Sequence, residues 1–200
     1  MSRDRSALVL ASRSPRRAAL LRQVGLAFDV IVADVDETPA PGESAEACVR
    51  RLALAKARAV LQRAPGRVVL GADTVVVLGE RMLGKPAGRE DALAMLASLS
   101  GREHRVCSGV AVLGAGRELA AVSVTRVRMR PLTRAESVAY WNTGEPRDKA
   151  GAYAIQGRGA AFVEALEGSY SGVVGLPLCE TVSLLRNIGL DVTAVWSADG

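Results

Sequence analysis

The segment "ALVLASRSPRRAALLRQVG", Ala7–Gly25, gives the pattern from which the fold is predicted. Its apolar beginning, "ALVLAS", is suited to a buried strand. Ser14-Pro15 is a strong helix start, because serine is a favoured N-cap and proline is favoured at the first helical position. The letters "RRAALLRQV" then have helical spacing and end at Gly25, a residue that favours helix termination. The segment therefore predicts a strand that leads directly into a helix.

The rest of the chain continues this mixture of elements. Further strands are predicted at "AFDVIVA" (27–33), at two β-rich pieces around Gly-Ala-Asp-Thr (67–83), in a long hairpin that turns at "GAG" (104–130) and at "LDVTAVW" (190–196). Further helices are predicted over 44–64, over 88–101, after a Thr133/Glu136 capping box, and from Pro177. Neither a repeat nor a linker interrupts the pattern, so we expect residues 1–200 to form one mixed α/β domain around an extended sheet.

Composition and charge narrow the class of protein. Of the residues, 49% are hydrophobic and 24% are charged, which is typical of a globular chain. No apolar run approaches the roughly 20 residues of a membrane helix, and "MSRDRSALVLAS" predicts no secretion signal. The net charge of +5 suits an anionic partner. Because the basic residues are scattered and aromatic residues are few, a small anion at one site is favoured over nucleic acid.

Cysteine and histidine usage excludes several kinds of catalytic site. Cys48, Cys107 and Cys179 form no C-x-x-C pair, which fits a reducing compartment and predicts a cytoplasmic location. His104 is the single histidine, so zinc sites built from several histidines are excluded. His104 is interpreted as a polar residue that enters a strand. Catalysis would then depend on Asp, Glu, Lys, Arg and hydroxyl groups, a set that indicates metal-assisted phosphate chemistry.

The start of the first helix is the first candidate site. A helix N-terminus offers free backbone N–H groups to phosphate, and here it is surrounded by Ser12, Ser14, Arg16 and Arg17. Arginine adds bidentate donation to phosphate oxygens. On this stretch alone, an ordinary capped helix with solvated arginines is the favoured interpretation. Neither a P-loop nor a dinucleotide-binding fingerprint is present.

Two charged residues interrupt apolar patterns elsewhere. Asp73 lies between two valine-rich runs in "VVLGADTVV", where an acidic residue disfavours a strand, so a functional and a structural role are about equally supported. Lys56 shares a helical stripe with Val49, Leu52 and Val60. Two interpretations of Lys56 are open: its aliphatic stem lies along the apolar face, or its ammonium is directed into a site.

Three further residues complete the candidate set. Lys85 lies before a proline in "GKPAG", and Glu37 lies in the loop after the second predicted strand, where it could bind a metal ion. Gln156 lies in the glycine-rich segment 148–177, and its amide could face a base edge or simply occupy a turn. Together these residues supply carboxylates for a divalent cation and positive charges for phosphates.

Six motifs, in order, resemble one known family. They are "LASRSPRRAALL", "ALAKARAV", "GADTVV", "GKP", "DKAGAYAIQG" and "GSYSGVVGLPL". On these motifs the chain, from about Ala7 to Leu185, is identified as similar to the Maf family of nucleoside triphosphate pyrophosphatases. The resemblance implies an α/β fold of the Maf/Ham1 (ITPase-like) type, with an elongated mixed sheet flanked by helices and a cleft between two lobes. It also implies hydrolysis of a nucleoside triphosphate to the monophosphate and pyrophosphate with Mg²⁺ or Mn²⁺, and a homodimer.

The same resemblance implies roles for individual residues. Asp73 would activate water, and Asp73 or Glu37 would hold the metal; whether Asp73 is the base, a metal ligand or both stays open at the level of sequence. The implied substrate-binding set is Ser12, Arg16, Arg17, Lys56, Thr74, Lys85 and Gln156. The version "DKAGAYAIQG" resembles the branch that acts on dTTP and UTP, in which Arg16, Thr74 and Gln156 match specificity positions. A glutamine amide can pair with the carbonyl and N3–H of a pyrimidine. Gly172 departs from the Asn that is frequent there.

Three alternatives to this function stay open at the level of sequence. One is a pyrophosphatase that prefers 7-methyl-GTP or another modified nucleotide. Another is a regulator of septum formation that binds nucleotide or a partner protein without turnover, since the resembling family is linked to cell-division arrest. A basic nucleic-acid binder is the least favoured, because the chain has no basic run.

Overall fold

The opening strand and helix form as the sequence predicts. Strand β1 is Leu8–Leu10 and helix α1 is Pro15–Gln23, with Ser14 as its N-cap. The computed structural model describes residues 7–196, except the side chains of 194 and 195. The stretch "MSRDRSALVLAS", for which no secretion signal is predicted, begins with residues 1–6. These six residues lie outside the described residues. Within the described range, no helix combines the length and apolar character needed to cross a membrane.

The remaining elements alternate along the chain. The strands are β2 (Asp29–Val30), β3 (Val68–Leu78), β4 (Arg81–Leu83), β5 (Glu103–Gly114), β6 (Arg117–Met129) and β7 (Val163–Glu167). The helices are α2 (Ala45–Leu61), α3 (Arg89–Leu99), α4 (Arg134–Asn142), α5 (Tyr170–Val174), α6 (Leu178–Asn187) and α7 (Thr193–Trp196). Short 3-10 turns occupy Glu145–Asp148, Ala150–Ala152 and Arg158–Phe162.

The strands form one mixed, seven-stranded sheet in the order β2-β1-β3-β5-β6-β7, with β4 paired to β3. Strand β1 is parallel to both neighbours, and its register pairs Leu10 with Leu70 of β3. Strand β4 is antiparallel to β3, and β7 is antiparallel to β6. The predicted mixed α/β class and the predicted long hairpin, β5–β6, are therefore confirmed.

Three predicted strands differ from the structure. The Gly-Ala-Asp-Thr segment does not divide β3, which runs unbroken from Val68 to Leu78. The second strand contains only Asp29–Val30, because its neighbour β1 is itself three residues long. The segment "LDVTAVW" ends in helix α7 rather than a strand. Asp191 accepts hydrogen bonds from the amide and hydroxyl of Thr193, and this Asx turn lies directly before α7.

The chain divides into two compact units. The first unit comprises Met1–Asp73, Ser108–Ser123 and Gly175–Gly200. Its buried core joins α2 to β1, β3 and β5, and includes Val9, Ala57, Val69 and Leu113. The apolar stripe of α2 is buried as its spacing predicts, and Lys56 is buried within it.

The second unit comprises Thr74–Cys107 and Val124–Val174. Helix α3 packs against α4 there, and α4 begins with the predicted capping box of Thr133 and Glu136. His104 lies in β5 and is buried, with its Nε2 2.8 Å from the Tyr153 hydroxyl. The interpretation of His104 as a polar residue of a strand agrees with this placement.

Candidate active site

A buried lysine joins two carboxylates in the first unit. Lys56 Nζ lies 2.6 Å from Asp73 Oδ1 and 2.6 Å from Glu37 Oε1. The Lys56 side chain is 8% exposed and that of Asp73 is 14% exposed, whereas that of Glu37 is 54% exposed. The Lys56 ammonium therefore ends at two carboxylates, a placement on which the proposal of a functional site is built below. We call Glu37, Lys56 and Asp73 the carboxylate–lysine cluster.

Close packing of helix α2 on the sheet places this cluster. A Cβ atom at Gly71 would lie 2.2 Å from the carbonyl oxygen of Ala53 and 2.8 Å from the amide nitrogen of Ala57, so only glycine fits there. Side chains two residues apart on a strand point to the same face. Asp73 therefore faces α2 just beyond the contact at Gly71, next to Lys56.

The start of helix α1 lies level with this part of β3. Leu10 of β1 pairs with Leu70 of β3 in parallel register. Ser12, two residues after Leu10, therefore lies level with Ala72, the residue before Asp73. The Ser12 hydroxyl is buried and accepts hydrogen bonds from the Ser14 amide at 3.1 Å and from Arg17 Nη1 at 3.3 Å. The amide of Arg17 is 3.5 Å from the Ser14 hydroxyl.

Arg17 is held in place by the protein itself. Its Nε donates to the Gly175 carbonyl at 2.8 Å, in addition to the bond from Nη1 to Ser12. Burial lowers the pKa of the Arg17 guanidinium, and the Asp73 carboxylate opposes that change. Arg16 lowers the same pKa further and Glu37 raises it, so all four charges act on one another. The structure thus brings together Ser12, Arg16, Arg17, Glu37, Lys56 and Asp73.

The other three candidates belong to the second unit. Thr74 follows Asp73 in β3 and is half-buried. Lys85 lies in the loop after β4, and Gln156 lies in a turn between two 3-10 segments, both of them exposed. Among residues 7–196, neither the Lys85 ammonium nor the Gln156 amide forms an ion pair or a hydrogen bond with the protein.

Sequence reasoning missed three residues that support the candidates. The sequence pattern predicts no separate role for Gly175, although its carbonyl accepts a hydrogen bond from the Arg17 side chain. Tyr140 and Glu145 were likewise not singled out, although both contact the segment that carries Gln156. The available signal was the "GEP" triplet, Gly144–Pro146, directly after a capped helix.

The carboxylate–lysine cluster can be tested for its fit to a divalent metal ion. Mg²⁺ is usually bound through one or two carboxylates together with substrate phosphates and water. Asp73 and Glu37 provide two such carboxylates, and both contact the Lys56 ammonium. Among the described residues, no group of three or more His, Cys, Asp or Glu side chains could hold a metal ion by itself. The donor set therefore fits a metal ion that is bound jointly with phosphate oxygens.

The fold and the site define an α/β protein with a charged, phosphate-compatible cluster at the start of its first helix. The chain belongs to the Maf family, since the family model described as Maf-like protein matches residues 7–188. A relative from Myxococcus xanthus (strain DK1622), named dTTP/UTP pyrophosphatase, is 56% identical over 198 residues, which is 99% of this chain and 100% of the relative.

A second relative carries the same name. This protein, from Symbiobacterium thermophilum (strain DSM 24528 / JCM 14929 / IAM 14863 / T), is 53% identical over 185 residues, covering 92% of this chain and 95% of the relative. Among solved structures, that of the Staphylococcus aureus Ham1 protein aligns with 61% of this chain and 71% of its own, at 17% identity and a TM-score of 0.43.

Proposed function

We propose that the protein hydrolyses dTTP and UTP to the monophosphate and pyrophosphate. The relatives from Myxococcus xanthus and Symbiobacterium thermophilum, which it matches over nearly their full lengths, bear the name dTTP/UTP pyrophosphatase. The observation that carries the proposal is the carboxylate–lysine cluster, which lies where β3 and the start of α1 are adjacent. A base, a buried cation and a helix N-terminus are together suited to phosphate chemistry.

Asp73 acts as the general base in this proposal. Its carboxylate accepts a proton from water as the water oxygen attacks phosphorus, and the phosphoanhydride bond to the leaving pyrophosphate breaks. Lys56 keeps Asp73 oriented through the contact at 2.6 Å. Because Lys56 and Asp73 are largely buried, the pair is screened little by water, and small displacements of either group would be costly.

The cations at the start of α1 stabilise the negative charge of the triphosphate. Arg16 and Arg17 lie in the first turn of α1, where the backbone N–H groups also favour an anion. Since Arg17 is fixed by Ser12 and Gly175, its guanidinium does not need to be ordered when the substrate binds. Lys85, exposed and without an ion pair among residues 7–196, supplies a further positive charge.

We also propose that Mg²⁺ or Mn²⁺ takes part, bound by Asp73 and Glu37. When bound with the triphosphate, such an ion neutralises phosphate charge and orients the chain of phosphates. Gln156 and Thr74 would contact the pyrimidine, since an amide can both donate to and accept from its edge. The exposure of Gln156 leaves its amide accessible to a base.

A panel of nucleotides tests the proposed function. Purified protein with Mg²⁺ or Mn²⁺ is given dTTP, UTP, dCTP, dATP and 7-methyl-GTP, and pyrophosphate and orthophosphate are measured separately. We expect pyrophosphate from dTTP and UTP at rates at least about tenfold above those for the other nucleotides. Preference for 7-methyl-GTP, or orthophosphate as the first product, would contradict the proposal.

Binding without turnover is the second candidate function. A regulator of septum formation would need the cations of the site but no base, so the largely buried Asp73 beside Lys56 favours an enzyme. A role in cell-division arrest is compatible with catalysis. We propose in addition a cytoplasmic location and a homodimer. The three cysteines outside any C-x-x-C motif support the first, and resemblance to the family supports the second.

A further inference from the structure

The turn that carries Gln156 is held from both sides by two side chains of the second unit. The Tyr140 hydroxyl accepts a hydrogen bond from the Ala154 amide at 3.0 Å, on the N-terminal side of Gln156. On the other side, the Glu145 carboxylate accepts hydrogen bonds from the amides of Arg158 and Gly159, both at 3.1 Å. The turn itself is closed by a bond from the Gly157 amide to the Ala154 carbonyl at 3.1 Å.

These two side chains are also bonded to each other. The Tyr140 hydroxyl donates to Glu145 Oε1 at 2.7 Å, so the hydroxyl both accepts from the turn and donates to the carboxylate. Tyr140 lies in α4 and is buried, with its ring packed edge-on against Phe162. Burial is the main cause that raises the pKa of the Tyr140 hydroxyl, and the hydrogen bond to Glu145 is the second. The hydroxyl therefore stays protonated and able to donate.

The Glu145 carboxylate stays charged in this position. Burial opposes ionisation, but the hydrogen bonds from Tyr140, Arg158 and Gly159 outweigh it and leave the pKa of Glu145 below its ordinary value. Hydrogen bonds to an ionised acceptor are stronger than those between neutral groups. Glu145 is therefore an anchor for the backbone on the C-terminal side of Gln156.

The glycines beside Gln156 allow this contact. A Cβ atom at Gly157 would lie 2.5 Å from Glu145 Oε2, and one at Gly159 would lie 2.8 Å from the Tyr140 hydroxyl. The sequence "QGRG" thus permits the backbone to approach a carboxylate and a hydroxyl of the protein itself. Part of the glycine density of this segment is explained by Tyr140 and Glu145 rather than by a bound ligand.

We infer that Tyr140 and Glu145 are positioning residues that fix the Gln156 turn for recognition of the base. The inference rests on the proposed function, because it assigns them to the selectivity of that site. Gln156 itself is exposed, and its amide has no hydrogen-bond partner among residues 7–196. The backbone of the turn therefore sets the position from which the Gln156 side chain extends, and Tyr140 and Glu145 bind that backbone on both sides. Neither residue is assigned a contact with the substrate.

Substitution of Tyr140 by Phe tests this inference. The Tyr140→Phe substitution removes the hydroxyl but keeps the ring, and Tyr153→Phe is the matched control, since it removes another buried hydroxyl of the same unit, that bonded to His104. We expect Tyr140→Phe to lower kcat/KM for dTTP about tenfold, mainly through KM, with less than about a twofold change for dCTP. Tyr153→Phe leaves the dTTP-to-dCTP ratio unchanged. An equal loss on both nucleotides in Tyr140→Phe would overturn the inference.

A double variant asks whether the effect passes through Gln156. If Tyr140 acts by fixing Gln156, Tyr140→Phe adds less than about a twofold loss on dTTP in a Gln156→Ala background. Multiplicative losses would show instead that Tyr140 acts independently of Gln156, which contradicts the inference.

Hydrogen exchange separates failure of the inference from failure of the proposed function. Whatever the substrate, Tyr140→Phe and Glu145→Gln should speed amide exchange at 154–159 about tenfold or more, and Tyr153→Phe should not. Unchanged exchange there would refute the anchoring. Accelerated exchange in a protein whose wild type hydrolyses no pyrimidine triphosphate would keep the anchoring but overturn both the proposed function and the role in selectivity.

Discussion

The two units hold their candidate residues by different means. In the first unit, side chains from a loop, a helix and a strand form direct ion pairs in the carboxylate–lysine cluster. In the second unit, Gln156 makes no such pair among residues 7–196, and its turn is held by bonds from backbone amides to Tyr140 and Glu145. The comparison teaches that the charged groups are held by each other, whereas for the exposed Gln156 only the backbone of its turn is held.

Removal of the Asp73 charge is expected to have the largest effect. Asp73→Asn should lower the rate of pyrophosphate release by about a thousandfold, because an amide cannot accept the proton of water. The fold should persist, since Lys56 keeps its contact with Glu37. Glu118→Gln, which alters an exposed ion pair with Arg58 in the same unit, is the control and should retain activity. Equal rates for wild type and Asp73→Asn would refute the assignment of the base.

The second largest expected effect is a loss of stability when a side chain is added at Gly71. Gly71→Ala places a Cβ atom 2.2 Å from the Ala53 carbonyl oxygen, which forces α2 away from β3. We expect a loss of about 3 kcal/mol in the free energy of unfolding, measured by urea denaturation, together with reduced activity as Lys56 moves from Asp73. Gly88→Ala, where a Cβ atom meets nothing within 4 Å, is the control. Wild-type stability in Gly71→Ala would show that close helix packing does not place the cluster.

The buried histidine of the second unit contrasts with the buried lysine of the first. Lys56 contacts two carboxylates, whereas burial alone lowers the pKa of His104 to about 4. Since the unfolded histidine titrates near pH 6.5, the unfolded state binds more protons between these values, and stability is lost as the pH falls from 6.5 toward 4.

Urea denaturation at several pH values measures this loss. It should reach up to about 3 kcal/mol at pH 4. The range between pH 6.5 and pH 5 lies above the ordinary pKa values of carboxylates, so it isolates the histidine. The His104→Gln variant should not lose this stability between pH 6.5 and pH 5. An identical slope in wild type and His104→Gln would contradict the assignment of a neutral, buried His104.

The smallest predicted effect concerns metal binding at the cluster. Because the Lys56 ammonium already contacts both carboxylates, it competes with a divalent cation for them. Lys56→Met should therefore raise the affinity of the nucleotide-free protein for Mn²⁺ about tenfold, as measured by electron paramagnetic resonance of free Mn²⁺. Lys85→Met, which removes an exposed lysine, is the control and should leave Mn²⁺ affinity unchanged. A lower affinity in Lys56→Met would contradict direct competition.

The sequence best predicted those features that depend on residues only a few positions apart. Ser14-Pro15 predicted the start of α1, and the stripe around Lys56 predicted a buried face, because capping and helical periodicity act over a few residues. The continuity of β3 through Asp73 was not predictable from local propensity. Strand β3 neighbours β5 in the sheet, pairs with β4 at Val76–Leu78 and is packed by α2 over Gly71, and the contacts with β5 and α2 join residues distant in sequence.

The support for Gln156 was harder to predict. Backbone amides at Ala154, Arg158 and Gly159 donate to Tyr140 and Glu145, and every residue except proline has such a donor. The residue types at the donor positions therefore do not mark the contact. The helix α7 was mispredicted because its segment contains valines that favour a strand, whereas Asp191 forms an Asx turn with the Thr193 amide directly before the helix.

Product analysis by ³¹P nuclear magnetic resonance tests the central claim most directly. Wild-type protein is incubated with dTTP and Mg²⁺, and the phosphorus signals are followed from the first turnover. The account predicts dTMP and pyrophosphate in equal amounts, with no dTDP and no early orthophosphate. Formation of dTDP with orthophosphate, or tight binding of dTTP without turnover, would contradict it.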